Sequence, residues 1–141
     1  MKIFCVGIGG IGLSGVARML KAEGHEVSGS DNAISDITRS LVKAGISVSP
    51  HDEKNLDKSF DLLVYSEAVP EQNPERLKAA ALGIPQISYA RALGNLSKDK
   101  KTIAIAGTHG KTTTTGMLVS ILLQAGLDPS IIIGSRMDIL D

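Results

Sequence analysis

Twice in this chain an apolar run ends on a glycine-rich turn, and a helical pattern starts directly after it. Ile3-Phe4-Cys5-Val6 leads into Gly7-Ile8-Gly9-Gly10-Ile11-Gly12, and residues 102–106 lead into Gly107-Thr108-His109-Gly110-Lys111-Thr112. A short continuous apolar run is the pattern of a parallel strand buried on both faces. Strand, glycine turn and helix in succession build parallel sheets with right-handed crossovers. The expected class is therefore α/β: a Rossmann-like parallel sheet with flanking helices, followed by the start of a second unit built on a P-loop-like turn.

The rest of the chain fits that class. Leu13, Val16, Ala17 and Leu20 recur at helical spacing, and Gly24 closes the helix. Residues 26–29 read as a second strand. Ile34, Ile37, Leu41 and Ala44 mark the buried stripe of a second helix that stops at Gly45. Residues 46–48 and 61–65 read as the third and fourth strands. Pro74 suits a first helical position, with the helix running to Gly83. Residues 84–87 form a fifth strand near an edge, because Pro85 cannot donate to a ladder. The charged segment 97–101 reads as a linker. Beyond it, 102–106 is expected to be a strand, Met117, Leu118, Ile121, Leu122 and Ala125 a helix stripe stopped by Gly126, and 130–133 another strand. Two units result, 1–98 and 99–141.

Composition narrows the function. Fifteen basic and fifteen acidic residues cancel, so no basic excess draws in nucleic acid or an anionic membrane. Aromatics are 3% of the chain, without Trp, which argues against base-stacking platforms. Cys5 is the single cysteine, so no internal disulfide or cysteine zinc site forms, and a reducing compartment fits. No apolar stretch reaches signal-peptide or membrane-spanning length. The cytoplasm is the expected location.

The first turn fits G-x-G-x-x-G at Gly7, Gly9 and Gly12, between strand and helix as that pattern requires. Glycine turns the chain sharply and lets a phosphate approach bare backbone. Gly9, Gly10, Ile11 and Gly12 are the candidate diphosphate contacts, facing the positive end of the helix dipole. Asp31 follows at the end of the second strand, where a carboxylate accepts bonds from ribose hydroxyls. A dinucleotide and a nucleoside-diphosphate sugar satisfy this turn equally.

The second turn ends in Gly-Lys-Thr like a Walker A loop, but Ile105 stands where the longer pattern has glycine. Backbone groups around Gly110 can cradle phosphate, Lys111 can reach the β and γ oxygens, and the Thr112 hydroxyl can ligate Mg²⁺. Thr112, Thr113, Thr114 and Thr115 in a row are poor helix formers, at roughly 0.5 kcal/mol each against alanine. Such a run suggests hydroxyls used for ligands or capping. His109 reads as a packing or hydrogen-bonding member of the loop rather than a catalyst.

Together the two turns resemble the Mur ligases, ATP-dependent enzymes that add amino acids to the UDP-muramic acid precursor of peptidoglycan. The resemblance is carried by residues 6–15, by Ser28-Gly29-Ser30-Asp31, by His51 with Asn55, and by Ser66-Glu67-Ala68-Val69-Pro70 with Asn73-Pro74-Glu75. Residues 106–114 complete it, in a short loop form typical of the group. It implies that residues 1–98 hold UDP-N-acetylmuramate, with Gly9, Gly10, Ile11 and Gly12 on the pyrophosphate, Asp31 near the ribose, and Ser66 and Asn73 lining the pocket. His51 reads as a surface turn residue. It also implies ATP and Mg²⁺ at Gly107, Thr108, His109, Gly110, Lys111, Thr112 and Thr113, with Lys111 and Thr112 catalytic and Thr112 the metal ligand. In this family ATP phosphorylates the substrate carboxylate, and the amine of the amino acid attacks the acyl phosphate. The histidine in the loop favours the branch that adds L-alanine, or its tripeptide-recycling relative. Family members run far beyond residue 141, so the chain is expected to be an amino-terminal piece that binds the UDP-sugar without forming an amide.

Two other readings compete. A nicotinamide-binding Rossmann module suits the first turn but not the second. A non-enzymatic nucleotide-sugar-binding or regulatory module is the other, and it takes the short second unit as natural.

Overall fold

The computed structural model describes residues 1–134; the last seven residues of the expected second unit, 135–141, lie outside them. Five strands form one wholly parallel sheet: β1 (Lys2–Val6), β2 (Glu26–Ser30), β3 (Ser47–Ser49), β4 (Leu62–Tyr65) and β5 (Gln86–Ser88), in the order β3-β2-β1-β4-β5. The order reverses at β1: the chain builds outward through β2 and β3, then crosses to β4 on the other side. Crevices at the carboxyl ends of strands beside such a reversal are where doubly wound sheets bind ligands.

Both faces of β1 are apolar, as its unbroken run predicts. Ile3 and Cys5 enter one core with Leu13, Val16, Ala17 and Leu41. Phe4 and Val6 enter the other with Phe60, Leu63, Val69 and Ala79. Burying each large aliphatic or aromatic side chain contributes about 1.5–3 kcal/mol. The first core lies beneath α1 (Ile11–Ala22), α2 (Asp36–Lys43) and α4 (Tyr89–Ser97), the second beneath α3 (Pro74–Leu82) and the loop before β4.

Local signals fix the helix ends. Ser35 and Thr38 form a reciprocal capping box that starts α2. Asn73 caps α3, accepting from Glu75 N at 2.9 Å and Arg76 N at 3.1 Å, with Pro74 in the first turn and left-handed Gly83 at the end.

The structure corrects several expectations. Residues 102–106 and 130–133 are not strands: among the described residues neither enters a ladder, and Ile103 is exposed. A strand exists only where a neighbour takes its backbone bonds, and among the described residues no ladder includes either segment. The P-loop unit is thus represented by a turn and helix α5 (Lys111–Gln124) without its strand. In α5 the buried residue is Val119, while Met117, Ile121 and Ala125 of the expected stripe face solvent. Leu118, Val119 and Leu122 instead border a cavity shared with Met19 of α1 and Leu93 of α4. In α2, Leu41 is buried as expected, but Ile34 and Ala44 fall outside the helix and are exposed. Helix α4 occupies what read as unassigned chain before the linker.

Candidate functional site

Three strand ends converge at the sheet's reversal point. Gly7 leaves β1 with φ +78°, a left-handed conformation that favours glycine. Gly7 N and Ile8 N both donate to Ser30 O of β2, at 2.8 and 3.0 Å. Ser66 N, just after β4, donates to Val6 O at 3.0 Å. A side chain on Gly7 would lie 2.8 Å from Val69 Cγ2 and 3.1 Å from Ser66 Cβ. The turn therefore sits flush against the β4 loop, and Ser66 does border it.

The backbone donors of the turn divide into two groups. Gly9 N donates to Asp31 Oδ2 at 2.8 Å, and Gly10 N to Gly7 O at 3.2 Å. The first intrahelical bond runs from Ser14 N to Gly10 O at 2.9 Å. The N–H groups of Ile11, Gly12 and Leu13 consequently have no backbone acceptor within the helix. Gly10 and Ile11 are exposed and no acidic residue occupies the first turn, so the positive helix end is open to an anion.

Two predicted residues play different parts from those their pattern suggests. A Cβ on Gly12 would meet Tyr89 Cζ at 2.7 Å and its hydroxyl at 2.8 Å; this glycine makes a notch for the first aromatic ring of α4, and only its N–H remains for a ligand. Asn73 is buried and its side-chain oxygen is engaged by two helix donors, so its documented role is capping. Asp31 is where expected, but both oxygens already accept backbone bonds, Oδ2 from Gly9 N and Oδ1 from Ala33 N at 2.9 Å. A ribose hydroxyl would use a remaining lone pair.

His51 is not a surface turn residue. Its side chain is 17% exposed, and Nδ1 lies 2.8 Å from Ser30 Oγ and 2.9 Å from Glu75 Oε2. Glu75 is wholly buried in the first turn of α3 and takes bonds at Oε1 from Asn55 Nδ2 and Asp52 N, at 2.9 and 3.2 Å. Sequence reasoning missed Glu75. A carboxylate in a first helical turn ordinarily reads as a solvated partner of the helix dipole, and nothing local announces that the 51–55 segment covers it.

The second loop is open. Gly107 and Gly110 have φ of +155° and +77°, and residues 106–114 are exposed. Lys111 Nζ curls back over the loop to donate to Gly107 O and, at 3.3 Å, to Thr108 O. The ammonium thus already sits over the turn a phosphate would occupy. Thr115 Oγ1 bonds to Lys111 O at 2.8 Å, so this member of the threonine run closes back on its own helix. Among the described residues no group of three His, Cys, Asp or Glu could hold a metal. A Mg²⁺ here would rest on phosphate oxygens, water and the Thr112 hydroxyl, a donor set that this cation accepts. Cys5 plays no part: burial pushes its thiol up to about 12.

The class of protein the fold defines is α/β, with a five-stranded parallel sheet that reverses at a glycine turn beside an acidic residue, and a second turn ending in Gly-Lys-Thr follows. The chain belongs to the Mur ligase family, whose catalytic-domain model matches residues 2–101. It is 50% identical over 97% of its length to UDP-N-acetylmuramate–L-alanine ligase of Pelobacter propionicus, and 45% identical over 96% to that of Carboxydothermus hydrogenoformans. It spans about 30% of the length of either. The crystal structure of UDP-N-acetylmuramate–alanine ligase from Thermotoga maritima superposes with a TM-score of 0.92 at 36% identity, over 98% of this chain and 33% of that one. The UDP-N-acetylmuramate:L-alanyl-gamma-D-glutamyl-meso-diaminopimelate ligase of Neisseria meningitides gives 0.89 at 34% identity, over 97% of this chain and 44% of that one. No helix among the described residues is long and apolar enough to cross a membrane.

Proposed function

We propose that this chain carries the UDP-sugar site and the ATP loop of an ATP-dependent ligase of peptidoglycan precursor synthesis, which joins L-alanine to UDP-N-acetylmuramate in the cytoplasm. The observation that carries the reading is the similarity to alanine-adding ligases across both phosphate cradles at once. A nicotinamide module would require only the first. Residues 1–98 are the sugar-nucleotide domain, and the segment from 99 opens the ATPase domain.

In this reading the free N–H groups of Ile11 and Gly12 receive the pyrophosphate, helped by the dipole of α1. Asp31, held by Gly9 and Ala33, orients the ribose, and Ser66 closes the side next to β4. Gly107, Thr108, His109, Gly110 and Thr113 surround the ATP phosphates. Lys111 swings from the loop carbonyls to the β and γ oxygens, and Thr112 holds Mg²⁺, which would neutralise charge on the transferred phosphoryl group. The substrate carboxylate takes that group, and the amine of L-alanine displaces phosphate to give the amide, ADP and phosphate. A second reading, addition of a tripeptide rather than alanine, draws on the likeness to the Neisseria ligase.

Calorimetric titration tests the proposal. The chain is expected to bind UDP-N-acetylmuramate and ATP without mutual competition, to show no NADH binding, and to release no ADP in an L-alanine-dependent way. Lys111→Ala should weaken ATP by about tenfold or more, the loss of one charge-assisted contact, and leave the UDP-sugar affinity unchanged. NADH binding without UDP-sugar binding would refute the reading.

A further inference from the structure

Among the described residues the one basic side chain within ion-pair distance of the buried Glu75 carboxylate is the imidazole of His51. The carboxylate's Oε1 is saturated by two donors, Asn55 Nδ2 and Asp52 N. Its Oε2 is buried and, although 2.9 Å from His51 Nδ1, lies off the axis of any hydrogen bond. The aligned partner of His51 Nδ1 is Ser30 Oγ, at 2.8 Å. A serine hydroxyl can donate or accept, so Ser30 by itself permits either tautomer of the ring. Glu75 does not. With the lone pair on Nδ1, a second electron-rich atom would lie 2.9 Å from the carboxylate oxygen in a buried site, which is electrostatically costly even off the hydrogen-bond axis. With the proton on Nδ1, it bonds to Ser30 Oγ and its positive end also lies beside the carboxylate.

We infer that Glu75 is a positioning residue that locks His51 in the Nδ1–H tautomer, leaving Nε2 as a hydrogen-bond acceptor at the edge of the nucleotide cleft. The placement supports this. His51 N donates to Asn32 Oδ1 at 3.2 Å, one residue from Asp31, and Ser30 is the last residue of β2. Among the described residues Nε2 has no partner, so it is the ring nitrogen left for a ligand. Its complement is a donor group on the nucleoside portion, a statement that rests on the proposed function. The carboxylate acts through the histidine, as second partners of ligating imidazoles do.

Glu75→Gln tests the inference because its amide can be accommodated in one way only. Asp52 N and Asn55 Nδ2 both donate, so the amide oxygen must take the Oε1 position and the NH₂ must face His51. Nδ1 then becomes the acceptor and the proton moves to Nε2. The readout is long-range ¹H–¹⁵N correlation on the labelled 141-residue chain at about pH 8.5, above the ordinary imidazole range, with His25 and His109 assigned by substitution. Wild type is expected to show a protonated Nδ1 and bare Nε2 at His51, and Glu75→Gln the reverse. Uridine diphosphate affinity should fall by about tenfold in the variant, since an acceptor has become a donor. A wild-type ring protonated on Nε2, or on both nitrogens, overturns the inference before any variant is made, as does a variant with the wild-type pattern. A tautomer switch in a chain that binds no uridine diphosphate upholds the positioning role and refutes the substrate reading instead.

Discussion

Gly12→Ala separates the two parts this glycine can play. The new methyl would lie 2.7 Å from Tyr89 Cζ and 2.8 Å from its hydroxyl, so the ring must swing aside or α4 must shift. Overpacking of this kind costs about 1–3 kcal/mol, towards the lower end because the ring tip can yield. Alanine is also the better helix former, by about 1 kcal/mol inside a helix. The net change is therefore a destabilisation of roughly 0–1 kcal/mol with Tyr89 present. In a Tyr89→Ala background the clash disappears and the same substitution should stabilise by up to about 1 kcal/mol. The coupling energy in a double-mutant cycle is thus expected near 1–2 kcal/mol. For a chain of this size that is a separation in Tm of about 3–8 °C. Urea denaturation of the four proteins measures it, provided the slopes agree. A coupling below about 0.5 kcal/mol, the scatter of independent sites, would show that the notch is not what requires glycine at position 12.

Two further outcomes follow from particular contacts. Asn73→Ala removes the acceptor for Glu75 N and Arg76 N and should cost about 1–2 kcal/mol in urea denaturation, whereas Asn73→Asp keeps most of the stability; equal losses in both would contradict the capping role. Cys5 has its thiol raised from 9.0 to about 12 by burial, so below about pH 9 folded and unfolded chains are both protonated there. Above it the unfolded chain alone loses the proton, and stability should fall progressively between about pH 9 and 12. A Cys5→Ala variant, less stable at neutral pH, should fall less steeply over that window, and iodoacetamide should label wild type only on unfolding.

Legibility varied with how local each signal was. The α1 stripe, the Pro74 start of α3 and the strand before Gly7 are written in nearby residues, and all three formed as read. Helix α4 was also legible: Tyr89, Ala92, Leu93 and Leu96 have helical spacing behind the Ser88 cap. Its interior Gly94 and the charged stretch after it masked that pattern. Residues 102–106 and 130–133 have the composition of strands, but pairing is a property of two segments, and composition describes one. The site shows the same division. Gly7, Gly9 and Asp31 lie together as their spacing implies, whereas the Tyr89 notch and the burial of Glu75 depend on segments from distant parts of the chain.

Strand β1 has a consequence of its own. Polarity usually tells a strand which side is inward, and here Ile3, Phe4, Cys5 and Val6 offer none. A slip by one position would exchange one apolar side chain for another at most interior positions while placing each in a space shaped for a different volume. Misregistered molecules would stay collapsed and shielded, without the greasy exteriors by which faulty chains are ordinarily noticed. What opposes the slide is the turn at the strand's exit, where the N–H groups of Gly7 and Ile8 both donate to Ser30 O of the neighbouring strand, so that it serves the sheet as a stop before it serves any nucleotide.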